Sequence, residues 1–119
     1  MCPDAYLFKA FAHETRLRIL TLLAARPLCV CHLEASLNLS QVAVSRHLTV
    51  LRAAGLVESR REGLWVHYQL AEPRSELEKV LFEWLRSRFR ADESLREDVA
   101  RMRECVQMPL EEVAAMVRE

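Results

Sequence analysis

The chain has 119 residues, of which 51% are apolar; it contains 2 Gly and 4 Pro and carries 17 Lys/Arg against 17 Asp/Glu. This is enough for one compact domain and too ordered a composition for a disordered chain. No apolar stretch approaches the roughly 20 residues that span a bilayer, and no secretion signal opens the chain, so a cytoplasmic protein with no membrane partner is expected. The zero net charge hides an asymmetry: residues 1–90 hold 13 Lys/Arg against 9 Asp/Glu, and residues 91–119 hold 4 against 8. A neutral total therefore does not exclude a basic DNA-docking face, because the field that matters is the local one.

Asp4 to Ala12 places Ala5, Phe8, Phe11 and Ala12 at helical spacing, with Asp4 as N-cap after Pro3. His13-Glu14-Thr15-Arg16 interrupts the pattern. A second helix then carries Leu17, Ile19, Leu20, Leu22 and Leu23 and ends near Arg26-Pro27. A third, short helix is expected over Cys29 to Leu37, and Asn38-Leu39-Ser40 forms a turn whose serine caps a fourth helix from Gln41. This is a helix-turn-helix. Val44, Leu48 and Leu51 make the anchoring stripe of the fourth helix, Gln41, Ser45, Arg46, Thr49 and Arg52 lie on its other faces, and Gly55 stops it.

Leu56–Arg61 and Leu64–Leu70 read as two strands around Glu62-Gly63, a β-hairpin. Glu72-Pro73 opens a long helix with an apolar face of Leu77, Val80, Leu81, Trp84, Leu85 and Phe89. One or two further helices follow from Asp92, broken near Pro109. The expected division is a winged helix-turn-helix over residues 1–90, which binds DNA and dimerises, and an acidic helical extension over residues 91–119 with no assigned role.

The second helix of such a motif enters the major groove. That nominates Gln41, Val44, Ser45, Arg46, His47 and Thr49, with Val44 and His47 equally open to packing roles. Arg60 and Arg61 flank the hairpin turn and are placed to reach phosphate or the minor groove. His13 and His67 read as structural, and Trp65, Tyr68 and Trp84 as packing residues. The four cysteines, Cys2, Cys29, Cys31 and Cys105, come without a secretion signal, so metal or redox chemistry is their better use than disulfides. Cys29 and Cys31, separated by one residue, can chelate a soft ion, whereas a disulfide between them would close a strained ring.

Three motifs appear in order at family-like spacings: Leu28-Cys29-Val30-Cys31-His32-Leu33; Val44-Ser45-Arg46-His47-Leu48 with Leu51-Arg52 and Gly55-Leu56-Val57; and Gly63-Leu64-Trp65-Val66-His67-Tyr68-Gln69-Leu70. Together they resemble the arsenical-resistance repressor family of small metal-sensing regulators, over about residues 6–90. The resemblance implies a mainly α fold with a β-hairpin wing, a winged helix-turn-helix homodimer rather than an enzyme. Such a repressor occupies its operator when metal-free and is released when a soft ion binds, here at Cys29 and Cys31; because one half-site gives too few contacts and dimers read two about one helical turn apart, an operator of imperfect dyad symmetry is expected. The implied effector is As(III) or Sb(III), alternatively Cd(II) or Pb(II), with no organic cofactor. Dimerisation is expected through the first helix and the helix containing Leu77, Leu81, Trp84 and Leu85.

Two departures from the family pattern bear on the site. The family's box typically reads Cys-Val-Cys-Asp-Leu, often with a further cysteine directly after it, and here His32 and Glu34 stand at those positions. Cys2, which could reach the box across the dimer, or Cys105 is then the candidate third ligand, with water, His32 or an added thiol such as glutathione as the remaining alternatives. The related zinc-type site on the helix after the hairpin is expected to be missing, since residues 76–90 contain no histidine. On a regular helix, residues i and i+2 point about 200° apart, so gripping one ion with both cysteines requires the helix start to loosen. The rival readings are the same fold sensing thiol oxidation and a cysteine-dependent enzyme. The enzyme is disfavoured because no glycine-rich oxyanion loop surrounds any cysteine.

Overall fold

The computed structural model describes residues 3–117. In chain order the elements are α1 (Pro3–Phe11), α2 (Glu14–Ala25), β1 (Leu28–Cys29), α3 (Val30–Leu37), α4 (Gln41–Ala53), β2 (Val57–Glu62), β3 (Trp65–Leu70), α5 (Glu76–Arg88), a 3-10 turn (Phe89–Ala91), α6 (Glu93–Cys105) and α7 (Leu110–Val117). The three strands form one antiparallel sheet in the order β1-β3-β2. Among the described residues no helix is long and apolar enough to cross a membrane.

The caps explain most of the helix boundaries. His13 Nδ1 accepts from Thr15 N at 3.1 Å and starts α2, Ser40 Oγ accepts from Ala43 N at 3.2 Å and starts α4, and Asp92 Oδ1 accepts from Leu95 N at 3.2 Å and starts α6. The long helix begins later than the sequence suggests. Glu72-Pro73 lies outside it, and Ser75, whose Oγ accepts from Glu78 N at 3.1 Å, supplies the cap instead. The first helix includes Pro3, so Asp4 sits in its first turn rather than capping it. The hairpin turn is shifted by one residue to Gly63-Leu64, because Glu62 pairs with Trp65 and Gly63 adopts φ +61.

The largest departure from the sequence reading is β1. The third helix does not begin at Cys29: Arg26, restricted by the following proline, is extended (φ −172, ψ 161), and the chain continues extended through Leu28 and Cys29. These two residues pair with β3 in the register Leu28 to Tyr68 and Cys29 to His67. The winged helix-turn-helix thus ties the cysteine pair to the wing through the sheet itself.

One core gathers Ile19, Leu20 and Leu22 of α2, Leu33 and Leu37 of α3, Val44, Leu48 and Leu51 of α4, Phe82 and Leu85 of α5, and Val99 and Met102 of α6. The acidic extension is therefore built onto the same core. Its anchor is Asp98, 1% exposed. Arg18 donates through Nε to Asp98 Oδ2 at 2.8 Å and through Nη2 to Leu37 O at 3.0 Å; Arg101 donates through Nη2 to Asp98 Oδ1 at 2.7 Å and through Nε to Ser36 O at 2.7 Å. Two carbonyls left without helical partners at the end of α3 are thus satisfied by arginines that one buried carboxylate orients. Asn38 follows in the left-handed conformation (φ 55) and turns the chain toward α4.

The apolar face of α5 divides. Phe82 and Leu85 enter the core, whereas Val80 and Trp84 remain 58% and 42% exposed. On α1, Tyr6 and Phe8 are likewise exposed.

Candidate functional site

The polar side of α4 is laid out by its buried stripe. Val44, Leu48 and Leu51 are in the core, which leaves Gln41, Val42, Ser45, Arg46 and Thr49 on the outside. Val44, named above among the groove-facing residues, is fully buried and has no surface to offer a base; this corrects that expectation. Val42, 67% exposed beside Gln41, was not singled out, although an apolar side chain at that position suits a thymine methyl. His47 is turned inward. Its ring lies 4.5 Å from that of His13, and its Nδ1 is buried with no hydrogen-bond partner among the described residues. Burial, then His13, Arg16 and Arg46, hold its pKa below the usual histidine value.

On the hairpin, Arg60 is paired with Glu62, and Arg61 donates through Nε to Gly63 O at 3.3 Å. Arg60 and Arg61 are both exposed, and Arg61 keeps its charge free of a carboxylate among the described residues. At the tip Leu64 is 89% exposed.

Cys29 and Cys31 stand at the start of α3 and share one apolar cluster. Cys29 is the N-cap residue, extended at φ −79 and ψ 163, and Cys31 lies in the first helical turn. The 200° divergence expected within a helix does not arise, because the first cysteine is already outside it. Both residues are buried, at 2% and 4% exposure, and each is a thiol. Cys29 Sγ lies 3.5 Å from His67 Nδ1, its cross-strand neighbour, and His67 Nε2 lies 3.5 Å from Glu62 Oε2. Burial, reinforced by Cys31 and Glu62, pushes the Cys29 thiol up to about 11, so it is protonated at neutral pH.

His32 stands where the family resemblance places an aspartate, and it does a carboxylate's local work. Its Nδ1 accepts from Cys29 N at 3.2 Å, holding the N-cap backbone. Burial, then Arg26 and His67, depress its pKa to about 4. The unfolded chain therefore binds the proton first. Stability is fully present above about pH 6.5 and is lost as pH falls toward 4, by on the order of 2 to 3 kcal/mol. Thermal melts of chelator-treated protein should decline through this window, and His32→Asn should flatten the decline.

Opposite the His67 contact, the pair packs against apolar residues. Val113 of α7, fully buried, forms one cluster with Cys29 and Cys31, and Trp65 and Ala35 pack against it together with Met108, Leu110, Ala114 and Val117. The C-terminal helix thus lies over the thiols. Its positions 110, 113, 114 and 117 follow a helical apolar spacing that is legible in the sequence, but nothing there says what the stripe covers.

Cys105 is buried at the end of α6 beside Ser36, near the far end of α3, five residues or about 7.5 Å along the axis from Cys31. Burial raises its pKa, with the Ser36 hydroxyl acting in the opposite sense. Cys2 lies outside the described residues. Among those residues, no group of three or more His, Cys, Asp or Glu side chains is gathered to hold a metal ion. The sulfurs of Cys29 and Cys31 are soft donors, and Cys105, beside Ser36, is not brought to them as a third.

The family model described as "Bacterial regulatory protein, arsR family" matches residues 13–59. The chain is similar to the arsenical resistance operon repressor of Escherichia coli K12, with 52% identity over 66 residues, 55% of this chain and 56% of that protein. It spans about half the length of that curated relative. Among solved structures, HlyU from Vibrio cholerae is 40% identical with a TM-score of 0.65, over 76% of this chain and 94% of that one. The homodimeric winged helix-turn-helix DNA-binding domain of Mb0332 from Mycobacterium bovis is 34% identical with a TM-score of 0.62, over 78% and 82%.

Proposed function

Given that the chain belongs to the arsR family of bacterial regulatory proteins, we propose that it is a dimeric transcriptional repressor whose operator affinity is switched off by a soft thiophilic ion at Cys29 and Cys31. The observation that carries this reading is the position of the pair. Cys29 is hydrogen-bonded into the wing sheet opposite His67, and Cys31 opens α3, which packs on α4. An ion drawing both sulfurs together therefore pulls on the wing and on the groove-reading helix at once.

As(III) and Sb(III) are the favoured effectors because they prefer thiolate donors, with Cd(II) and Pb(II) next. A third donor for a bare ion comes from Cys2, or from Cys105 if the last turn of α6 shifts.

DNA binding falls to Gln41, Val42, Ser45, Arg46 and Thr49 on α4 and to Arg60 and Arg61 on the wing, while His47 acts from behind the helix. Tyr6 and Phe8 on α1, with Val80 and Trp84 on α5, form the surface for a second copy, and a two-fold dimer reads an operator of imperfect dyad symmetry. Arg46→Ala tests this reading: operator affinity should fall roughly 10- to 100-fold with the melting temperature unchanged. Arg61→Ala should instead reduce the salt dependence of binding by about one phosphate contact per protomer. Fluorescence anisotropy with labelled operator at several salt concentrations measures both, and unchanged affinity in Arg46→Ala would refute this DNA face.

A further inference from the structure

Ala24 and Ala25 end α2 with two methyl groups where larger side chains would fill the space between α2, α5 and α6. A cavity of about 240 Å3 remains there, lined by Ala24, Phe89, Val99 and Met102 together with the exposed Arg86 and Arg103. Its floor is apolar, because the one hydroxyl on it, Thr21 Oγ1, already donates to Leu17 O at 2.7 Å. Neither arginine side chain has an ion pair or hydrogen bond among the described residues. We infer that this cavity binds a small carboxylate with an apolar body, of the size of benzoate, and that the ligand strengthens operator binding. The effect on the operator rests on the proposed function; the site itself does not.

Two guanidinium groups beside an apolar space define that chemistry. Each can fork to a carboxylate, and a ligand with its anion at the rim and its body inside displaces water that the floor cannot hydrogen-bond. The space holds roughly eight water molecules, the bulk of a ring and a carboxylate. A neutral ligand forfeits the arginines, and acetate has too little body to fill the floor.

The cavity is separate from the surfaces proposed for DNA and for a second copy. No residue of α4 or of the wing lines it among the described residues, and Arg86, two residues beyond Trp84, lies about 200° around α5 from it. The link to DNA runs through α6. Val99, Met102 and Arg103 line the cavity, while Asp98 and Arg101 of the same helix hold Arg18 and Ser36 O at the end of α3. A carboxylate bridging Arg86 and Arg103 ties α6 to α5 in this arrangement, which is that of the metal-free, operator-binding protein. A ligand that binds one arrangement better shifts the population toward it. The C-terminal extension thereby acquires a role, as one wall of a co-repressor site.

The test is calorimetric titration of the full chain with benzoate, hexanoate, benzamide and acetate, followed by operator anisotropy with and without benzoate. Benzoate should bind once per protomer with a dissociation constant of about 10 µM to 1 mM, and should raise operator affinity several-fold. Arg86→Ala and Arg103→Ala, both at exposed positions, should keep the wild-type melting temperature and each weaken benzoate binding about tenfold. Ala24→Leu, which fills the cavity, should abolish it. Benzamide or acetate binding as tightly as benzoate, undiminished benzoate binding in both arginine variants, or no binding of either larger carboxylate at about 10 mM overturns the site. Operator affinity unmoved by bound benzoate overturns the co-repressor role. No operator binding with or without benzoate overturns the repressor reading and that role together, and leaves the carboxylate site standing on the calorimetry.

Discussion

Replacing Asp98 by alanine should lower the melting temperature by roughly 10 °C and weaken operator binding, although residue 98 is far in sequence from the helix-turn-helix. The carboxylate is 1% exposed and holds Arg18 and Arg101, which in turn hold Leu37 O and Ser36 O at the end of α3. Removing it leaves two cations with no acid between them and frees the turn that sets the angle of α4. Breaking a buried pair costs about 3 to 5 kcal/mol when the stranded charge stays buried. Here the arginine side chains keep 22% and 34% of their surface in water, so about 2 to 4 kcal/mol is expected. Thermal denaturation of the variant measures this. A shift within about 2 °C of wild type would mean that the network is decoration and that α6 is held by apolar packing alone.

Cys29→Ser and Cys31→Ser should each leave operator binding close to wild type while raising the effector concentration needed for release roughly 100-fold or more, because one of two sulfur bonds to the ion is lost. A serine hydroxyl in these dry positions costs about 1 to 2 kcal/mol of stability, too little to unfold the domain. Cys105→Ser should differ from both. Its sulfur lies beside Ser36, away from the pair, so release by effector should stay within a few-fold of wild type. Loss of response in Cys105→Ser to the same degree as in Cys29→Ser would require α6 to rearrange on binding and would restore a three-thiol site.

The features legible in the sequence are those set by near neighbours. Ser40 before Gln41, the 44-48-51 stripe, Gly55 after α4 and the break at Pro109 each act through a few adjacent residues, and each is found in place. The misread features depend on partners distant in the chain. Cys29 belongs to a strand only because His67 lies opposite it, and two residues of extended chain carry no periodicity of their own. Val44 satisfies the anchoring stripe and the groove-facing set equally well until its burial is seen. His47 shows no sign in sequence of its contact with His13, nor Asp98 of its contact with Arg18 eighty residues away. The candidate site was half legible for the same reason: the cysteine pair is a local motif, and its lid, Leu110 to Val117, is an ordinary amphipathic helix until it is placed over the thiols.

The central claim is that one ligand bridging Cys29 and Cys31 releases DNA. The most direct measurement follows operator anisotropy and As–S absorbance together while trivalent arsenical is added to the preformed complex. Release and absorbance should rise in step and saturate at one arsenic per protomer, and neither should change in Cys31→Ser. Arsenic–sulfur bonding that saturates while the operator stays bound would contradict the claim, because the pair would then be a binding site with no hold on the helix and wing that meet DNA.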